Sequence, residues 1–221
     1  MQDEHMFDYS RRMVALQGSL FDSATEPVLR PLDGRVRRIT LSGGAWIDHV
    51  PGWVERADLL FESLVDEVAW RSEERVMFDR LVEVPRLIAS YGVGDVAPHP
   101  ALREAMVRLA DHYRGTPGAD LATIGLCLYR NGADSVAWHG DKIGRGATED
   151  TLIAIVSLGC HRRLALRPKQ AGSPAVRFEL GGGDLLVMGG SCQRTWEHAV
   201  PKTARSVGPR LSVQFRPSGV Q

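Results

Sequence analysis

Downstream of residue 120 the chain breaks into short apolar runs divided by glycines and polar turns, several of them alternating between apolar and polar side chains. That texture predicts strands at Ala122–Tyr129, Ser135–His139, Leu152–Leu158, Arg163–Arg167, Val176–Leu180, Leu185–Met188 and Arg210–Phe215. Many short strands at close spacing indicate a sandwich or barrel. Upstream the period changes. Between Trp53 and Trp70, after Pro51, Leu60, Leu64 and Val68 recur every fourth residue beside Phe61 and Val65, as one face of a helix requires. A second helix is predicted from Pro100 to Tyr113, with Leu102, Met106 and Leu109 on one side and Gly115, Pro117 and Gly118 ending it. Residues 1–40 are polar, lack a sustained period and are interrupted by Pro27, Pro31 and Gly34. The expected architecture is mainly β with flanking helices, of the α+β kind. An N-terminal extension over 1–50 packs on the core, helices occupy 51–120, and the β core fills 121–221.

A chain of 221 residues is long enough for one substantial core. Its 43% apolar and 24% charged content is ordinary for a globular protein. No uncharged apolar run approaches a membrane span, and the opening residues hold no apolar signal core, so a cytoplasmic protein with no membrane partner is expected. Cys127, Cys160 and Cys192 are odd in number and far apart, which suggests reduced thiols rather than a disulfide framework. The formal net charge of +0 conceals an asymmetry: residues 1–150 hold 24 acids against 17 Lys/Arg, and residues 151–221 hold 3 against 10. Arg162, Arg163, Arg167, Lys169 and Arg177 follow one another with no acid between Asp150 and Glu179. Such a run is either a footprint for phosphate backbones or a solvated strand face balanced by the acidic half. Both readings stay open at the level of sequence. The cluster Arg30, Arg35, Arg37 and Arg38 reads as surface.

The chemistry concentrates in the β-rich part. In His139-Gly140-Asp141 the first and third residues point the same way if the segment is a strand, so both can meet one ion. Gly140 between them leaves room for a close approach. His198, flanked by Trp196 and Val200-Pro201, supplies a third ligand candidate. Two histidines and one carboxylate form the facial arrangement that leaves positions open on non-haem Fe(II) for O₂. Catalytic zinc is the rival, because it uses the same residue types. The jelly roll, whose mouth suits a metal site, is the β architecture that fits. His5, His49, His99, His112 and His161 lie in polar, turn or helical settings and are read as structural or solvated. On the last strand Arg210 and Arg216 share a face with Ser212 and Gln214, while Leu211, Val213 and Phe215 take the other. Two inward guanidinium groups are costly to bury unpaired, so either a dicarboxylate ligand or the protein's own acids must meet them. Tyr129 stands ready to donate to the same carboxylate.

These residues resemble the AlkB family of Fe(II)- and 2-oxoglutarate-dependent dioxygenases. The resemblance runs through Leu128 to Asn131, Asp134 to Asp141, Ile155 to Gly159, Gly183 to Met188, Trp196 to Pro201 and the Arg210-to-Arg216 strand. Val84-Pro85-Arg86 with Tyr91-Gly92 is similar to that family's nucleotide-recognition lid, which places the lid within 51–120. The resemblance implies a double-stranded β-helix core of the jelly-roll or cupin-like kind, the whole forming a single catalytic domain. It implies Fe(II) on His139, Asp141 and His198, 2-oxoglutarate and O₂ as co-substrates, and co-substrate contacts from Tyr129, Arg210, Ser212 and Arg216. It implies oxidative demethylation of alkylated bases such as N1-methyladenine and N3-methylcytosine, in DNA or RNA, with release of formaldehyde, succinate and CO₂. The base arrives single-stranded or flipped from its stack. Arg86 and Tyr91 become substrate-contact candidates.

Three positions and the lid depart from the family pattern. Cys127 and Ser212 stand where many members have Asn, and Ile143 stands where an acid often reads the base. After Tyr91-Gly92 the lid stretch from Val93 to Pro100 holds no aromatic stacker except His99. Ile143 and the sparse lid motivate a second reading, the same chemistry on a modified RNA, a protein or a small molecule. A non-catalytic nucleic-acid-binding module is the third, and the complete ligand triad argues against it. A monomer is expected.

Overall fold

The computed structural model describes residues 26–77, 80–141, 144–170 and 174–220. In chain order the strands and helices are β1 Val28–Leu29, β2 Arg37–Thr40, β3 Ala45–Val50, β4 Val54–Glu55, α1 Ala57–Glu67, β5 Arg71–Met77, β6 Arg80–Tyr91, α2 Pro100–His112, β7 Leu121–Tyr129, β8 Val136–His139, β9 Ile153–Gly159, β10 Arg162–Pro168, β11 Val176–Leu180, β12 Asp184–Gly190, α3 Cys192–Thr195, β13 Trp196–Val200 and β14 Arg210–Pro217. Among the described residues two antiparallel sheets make the core. The larger has the order β2-β3-β12-β9-β14-β7-β6-β5 and the smaller β11-β10-β13-β8; β1 and β4 pair separately. This is the expected β core with flanking helices.

The centre of the larger sheet is buried on both faces, which explains why β9 and β12 read as almost unbroken apolar runs. Its outer face, with Leu126, Val156, Val187, Val213 and Phe215, packs under Leu60 and Leu64 of α1 and Leu102 and Leu109 of α2. Its inner face, with Ile47, Ile155, Leu186 and Met188, meets Leu164, Leu166 and Trp196 of the smaller sheet. In β14 the alternation works as read from the sequence. Leu211, Val213 and Phe215 are fully buried on the helix side, so Arg210, Ser212, Gln214 and Arg216 turn inward between the sheets.

Several elements differ from expectation. β5 and β6 put strands within the 51–120 stretch read as helices and lid, and join the large sheet beyond β7. The first helix is shorter than Trp53–Trp70, because Val54 and Glu55 are drawn into pairing with Val28 and Leu29. Arg56 then adopts a left-handed conformation before α1, and Trp53 is fully buried with its indole N–H donating to the Arg30 carbonyl at 2.9 Å. Residues 37–50, read as irregular or turn, contribute β2 and β3 to the large sheet, with β3 alongside β12. The buried Asp48 on β3 accepts from Arg38 at 2.8 and 2.7 Å and from the Tyr113 hydroxyl at 2.9 Å, tying α2 to the sheet. His198 lies on a strand of its own, β13, which the sequence reading missed.

Candidate active site

β8 and β13 are neighbours in the smaller sheet, and their register sets His139 directly opposite His198. The imidazole centroids are 4.2 Å apart. His139 Nδ1 lies 2.8 Å from the Ala137 carbonyl. A carbonyl only accepts, so Nδ1 carries the hydrogen and the Nε2 lone pair is left for an ion. Asp141 arrives differently from the way its spacing suggests. β8 ends at His139, so no strand pleat carries the carboxylate. Instead the Asp141 backbone N–H donates to Gln193 Oε1 at 2.9 Å. A Cβ at Gly140 would stand 2.5 Å from the Gln193 carbonyl oxygen, so only glycine permits α3 to come this close. Asp141 Oδ1 then lies 3.7 Å from His139 Nε2, and Oδ2 accepts from Arg216 Nε at 2.7 Å.

The ligand atoms of His139, Asp141 and His198 all lie within 4.8 Å of one another, the grouping of this kind found among the described residues. Burial and the neighbouring His139 push the His198 imidazole down to a pKa of about 3, which keeps it neutral, the form that ligates. Burial acts to raise the Asp141 carboxyl, but Arg216 and the two imidazoles outweigh it and hold the group at about 2. Two neutral nitrogens and an ionised oxygen on one side of an open space fit Fe(II).

The pocket lined by His139 and His198 is cationic: Arg86, Arg210 and Arg216 line it too, with Cys127, Tyr129, Ser212 and Gln214. Arg210 is 1% exposed, and its Nε donates to Ser157 Oγ at 2.9 Å. Its Nη1 is buried and finds no hydrogen-bond acceptor among the described residues. Burial lowers its pKa, and the salt bridges found include no acid on it. The Tyr129 ring lies 5.4 Å from this guanidinium and 5.7 Å from that of Arg162. Arg86 Nε is likewise buried without a partner. An orphaned guanidinium beside a buried phenol is a socket for an anion, and the distal carboxylate of 2-oxoglutarate fits it.

Arg216 has the other fate, since Asp141 holds it, with its Nη1 over Gly125 where a Cβ would stand 2.6 Å away. Gln214 Nε2 donates to the Ser212 carbonyl at 2.9 Å and to its Oγ at 2.6 Å, and Gln214 Oε1 lies 3.9 Å from Cys127 Sγ.

The structure thus brings His139, Asp141, His198, Tyr129, Arg210, Ser212, Arg216 and Arg86 around one pocket. Tyr91 does not join them. It pairs with Ile124 on β7 and packs against the helix-side core, five positions and therefore one face away from Arg86. Ile143 lies outside the described residues. The basic run resolves mostly into structure. Arg163 pairs with Glu179, Arg167 pairs with Glu197 and stacks over Trp138, and Lys169 donates to the carbonyls of Gln193 and Arg194. Arg162 is buried and donates to the carbonyls of Asn131, Asp134 and Pro201 at 2.8–2.9 Å. Sequence reasoning missed Gln193 and Ser157. Ser157 had a signal, as the lone polar side chain in an apolar run; Gln193 had none.

Comparison with known proteins agrees with this geometry. Residues 93–216, more than half of the chain, match the model of the 2OG-Fe(II) oxygenase superfamily. The chain is 32% identical to alpha-ketoglutarate-dependent dioxygenase alkB homolog 3 of Bos taurus over 75% of its own length, spanning 64% of that relative. For the same protein of Homo sapiens the figures are 31%, 87% and 73%. It is 29% identical to DNA oxidative demethylase ALKBH2 of Homo sapiens, covering 72% of this chain and 68% of that one. A solved structure of OsALKBH1 superposes with a TM-score of 0.52 at 15% identity over 82% of this chain and 100% of that one, which shows the shared fold. The protein is therefore an oxidoreductase of the 2-oxoglutarate- and Fe(II)-dependent dioxygenase class, using Fe(II), 2-oxoglutarate and O₂. Within that class the chain belongs to the AlkB family.

Among the described residues no helix is long and apolar enough to cross a membrane. All three cysteines are free.

Proposed function

We propose that this enzyme removes methyl groups from alkylated nucleic-acid bases, N1-methyladenine and N3-methylcytosine first among them, on a single strand or a flipped base. The observation that carries the oxygenase part is the buried, acid-free guanidinium of Arg210 beside Tyr129, in the same pocket as the two-histidine, one-aspartate cluster. The likeness to a relative named as a DNA oxidative demethylase supports the choice of substrate.

In this reading His139, Asp141 and His198 hold Fe(II). Bound iron with 2-oxoglutarate and O₂ supplies the oxidation, in which 2-oxoglutarate becomes succinate and CO₂ and the methyl group becomes hydroxymethyl. The hydroxymethyl product releases formaldehyde and leaves the repaired base. Arg210 and Tyr129 take the distal carboxylate of 2-oxoglutarate, with Ser212 on the same wall. Arg216 keeps Asp141 ionised, so the ion finds a charged ligand already in place. Arg86, a lining residue of the same pocket whose buried Nε finds no partner among the described residues, contacts the incoming nucleotide.

The test loads the full chain anaerobically with Fe(II), adds a methylated oligonucleotide and 2-oxoglutarate, and admits O₂. Mass spectrometry is expected to find demethylated product and succinate in equal amounts. Absence of both would overturn the reading. Succinate without demethylated oligonucleotide would overturn the substrate alone.

A further inference from the structure

We infer that Gln193 is a positioning residue for the metal, whose side-chain carbonyl sets where the Asp141 carboxylate stands and thereby how tightly the site holds Fe(II). This rests on the reading that His139, Asp141 and His198 are the iron ligands.

The two histidines need no such help. Each sits on a strand, and their opposition follows from the pairing of β8 with β13. Asp141 lies past the end of β8, outside any strand, where nothing periodic fixes its direction. Its backbone N–H is buried and must find an acceptor, and that acceptor is Gln193 Oε1 at 2.9 Å. Because the backbone group is a donor, the amide oxygen rather than the nitrogen faces it. Among the described residues the other end of the amide has the Met188 sulfur at 3.8 Å, a weak acceptor. The backbone of Gln193 acts on the same segment, with its carbonyl oxygen 2.5 Å from where a Gly140 Cβ would stand.

α3 is a firm base for this. Lys169 Nζ donates to the Gln193 carbonyl at 2.8 Å, Ser191 Oγ to the Gly43 carbonyl at 2.6 Å and Trp196 Nε1 to the Ser42 carbonyl at 3.1 Å. Arg194 pairs with Asp150 across the loop that follows the ligand segment. Opposing this, Arg216 draws Oδ2 toward itself. With the backbone pinned by Gln193, the Oδ1 oxygen still faces His139; with the pin lost, the segment yields toward Arg216.

The full chain is compared with Gln193→Met, which keeps the volume but loses the strong acceptor, and with Gln193→Glu, which keeps it. Mn(II) binding is followed by electron paramagnetic resonance, and the KM for 2-oxoglutarate is measured at saturating Fe(II). Losing a hydrogen bond that orients a ligand typically costs 10–100-fold in metal affinity, so the Met variant is expected to weaken Mn(II) binding by about that factor. The KM for 2-oxoglutarate stays unchanged, because Arg210 is not touched, and the Glu variant recovers most of the lost affinity. An unchanged Mn(II) Kd in the Met variant would overturn the inference, as would equal losses in Met and Glu, which would mean packing alone. A wild-type chain that binds no Mn(II) would instead remove the ligand assignment itself. Should the Met variant fail to fold, Gln193→Asn, about 1.5 Å short of the Asp141 N–H, is judged by the same Kd.

Discussion

Arg210 offers a prediction in which stability and function move apart. Replacing a charged, fully buried side chain that holds an ion pair leaves the partner stranded and costs about 3–5 kcal/mol. Among the described residues Arg210 has no such partner. Its Nε hydrogen bond to Ser157 Oγ contributes about 1.5–3 kcal/mol net, as for a charged donor, and its orphaned Nη1 costs about 1–3 kcal/mol through desolvation without an acceptor. In Arg210→Met the two changes nearly cancel, so the ligand-free variant should unfold within about 1 kcal/mol of wild type, equivalent to about 2–4 °C in a chain of this length. With Mn(II) and 2-oxoglutarate present the proteins should separate. A ligand at 100 times its Kd stabilises the folded state by about 2.7 kcal/mol, and the wild type should gain that shift while the variant gains only the part due to metal. Thermal melts with and without each ligand measure all four quantities. A variant more than about 3 kcal/mol weaker without ligand would show that Arg210 is paired after all. One that keeps the full 2-oxoglutarate shift would show that the anion binds elsewhere.

Two other perturbations follow from the ligand segment. Gly140→Ala places a methyl 2.5 Å from the Gln193 carbonyl oxygen and 3.3 Å from that of Trp196, and backbone cannot move aside cheaply; a loss of about 1–3 kcal/mol in chemical denaturation is expected together with weaker Mn(II) binding, and an unchanged midpoint and Kd would contradict it. The metal-free protein should also lose stability in mild acid. His198 titrates near 3 when folded against 6.5 when unfolded, so below pH 6.5 the unfolded chain binds the extra proton. Stability is complete above about 6.5 and declines at up to about 1.4 kcal/mol per pH unit as the pH falls toward 3. Urea midpoints between pH 7.5 and 5 in the presence of chelator read this slope, and a His198→Leu chain with the same slope as wild type would refute it.

What the sequence disclosed follows from where each constraint is stored. β14 was legible because its two faces bury opposite chemistries, so the alternation of Arg210, Ser212, Gln214 and Arg216 with Leu211, Val213 and Phe215 is written residue by residue. α2 was legible at both ends, with Pro100 in its first turn after the capping His99 and Gly115 past its end. β2 had no such record, since all four of its side chains are exposed and its place depends on the neighbour β3. β3 was obscured by Asp48, a charge in a strand that becomes acceptable only when Arg38 and Tyr113 arrive from elsewhere. The basic stretch after Asp150 stayed undecided for the same reason, because its balancing acids, Glu179 and Glu197, lie on strands that reach it only after folding.

The two arginines of β14 show how far spacing alone reaches. They share a strand and a face, and their pattern states that both point inward. It does not state what each meets. Arg216 meets Asp141, and the pair keeps the carboxylate ionised while denying that arginine a free anion site. Arg210 meets Tyr129 and Ser157 and, among the described residues, no acid. Burial of one guanidinium is therefore offset within the protein, and burial of the other is left to be offset by whatever enters. A fold that lowered this cost by giving Arg210 an acid of its own would be more stable and would close the socket to 2-oxoglutarate. The difference between a structural arginine and a binding one here is a single missing carboxylate, which only the three-dimensional neighbourhood can reveal.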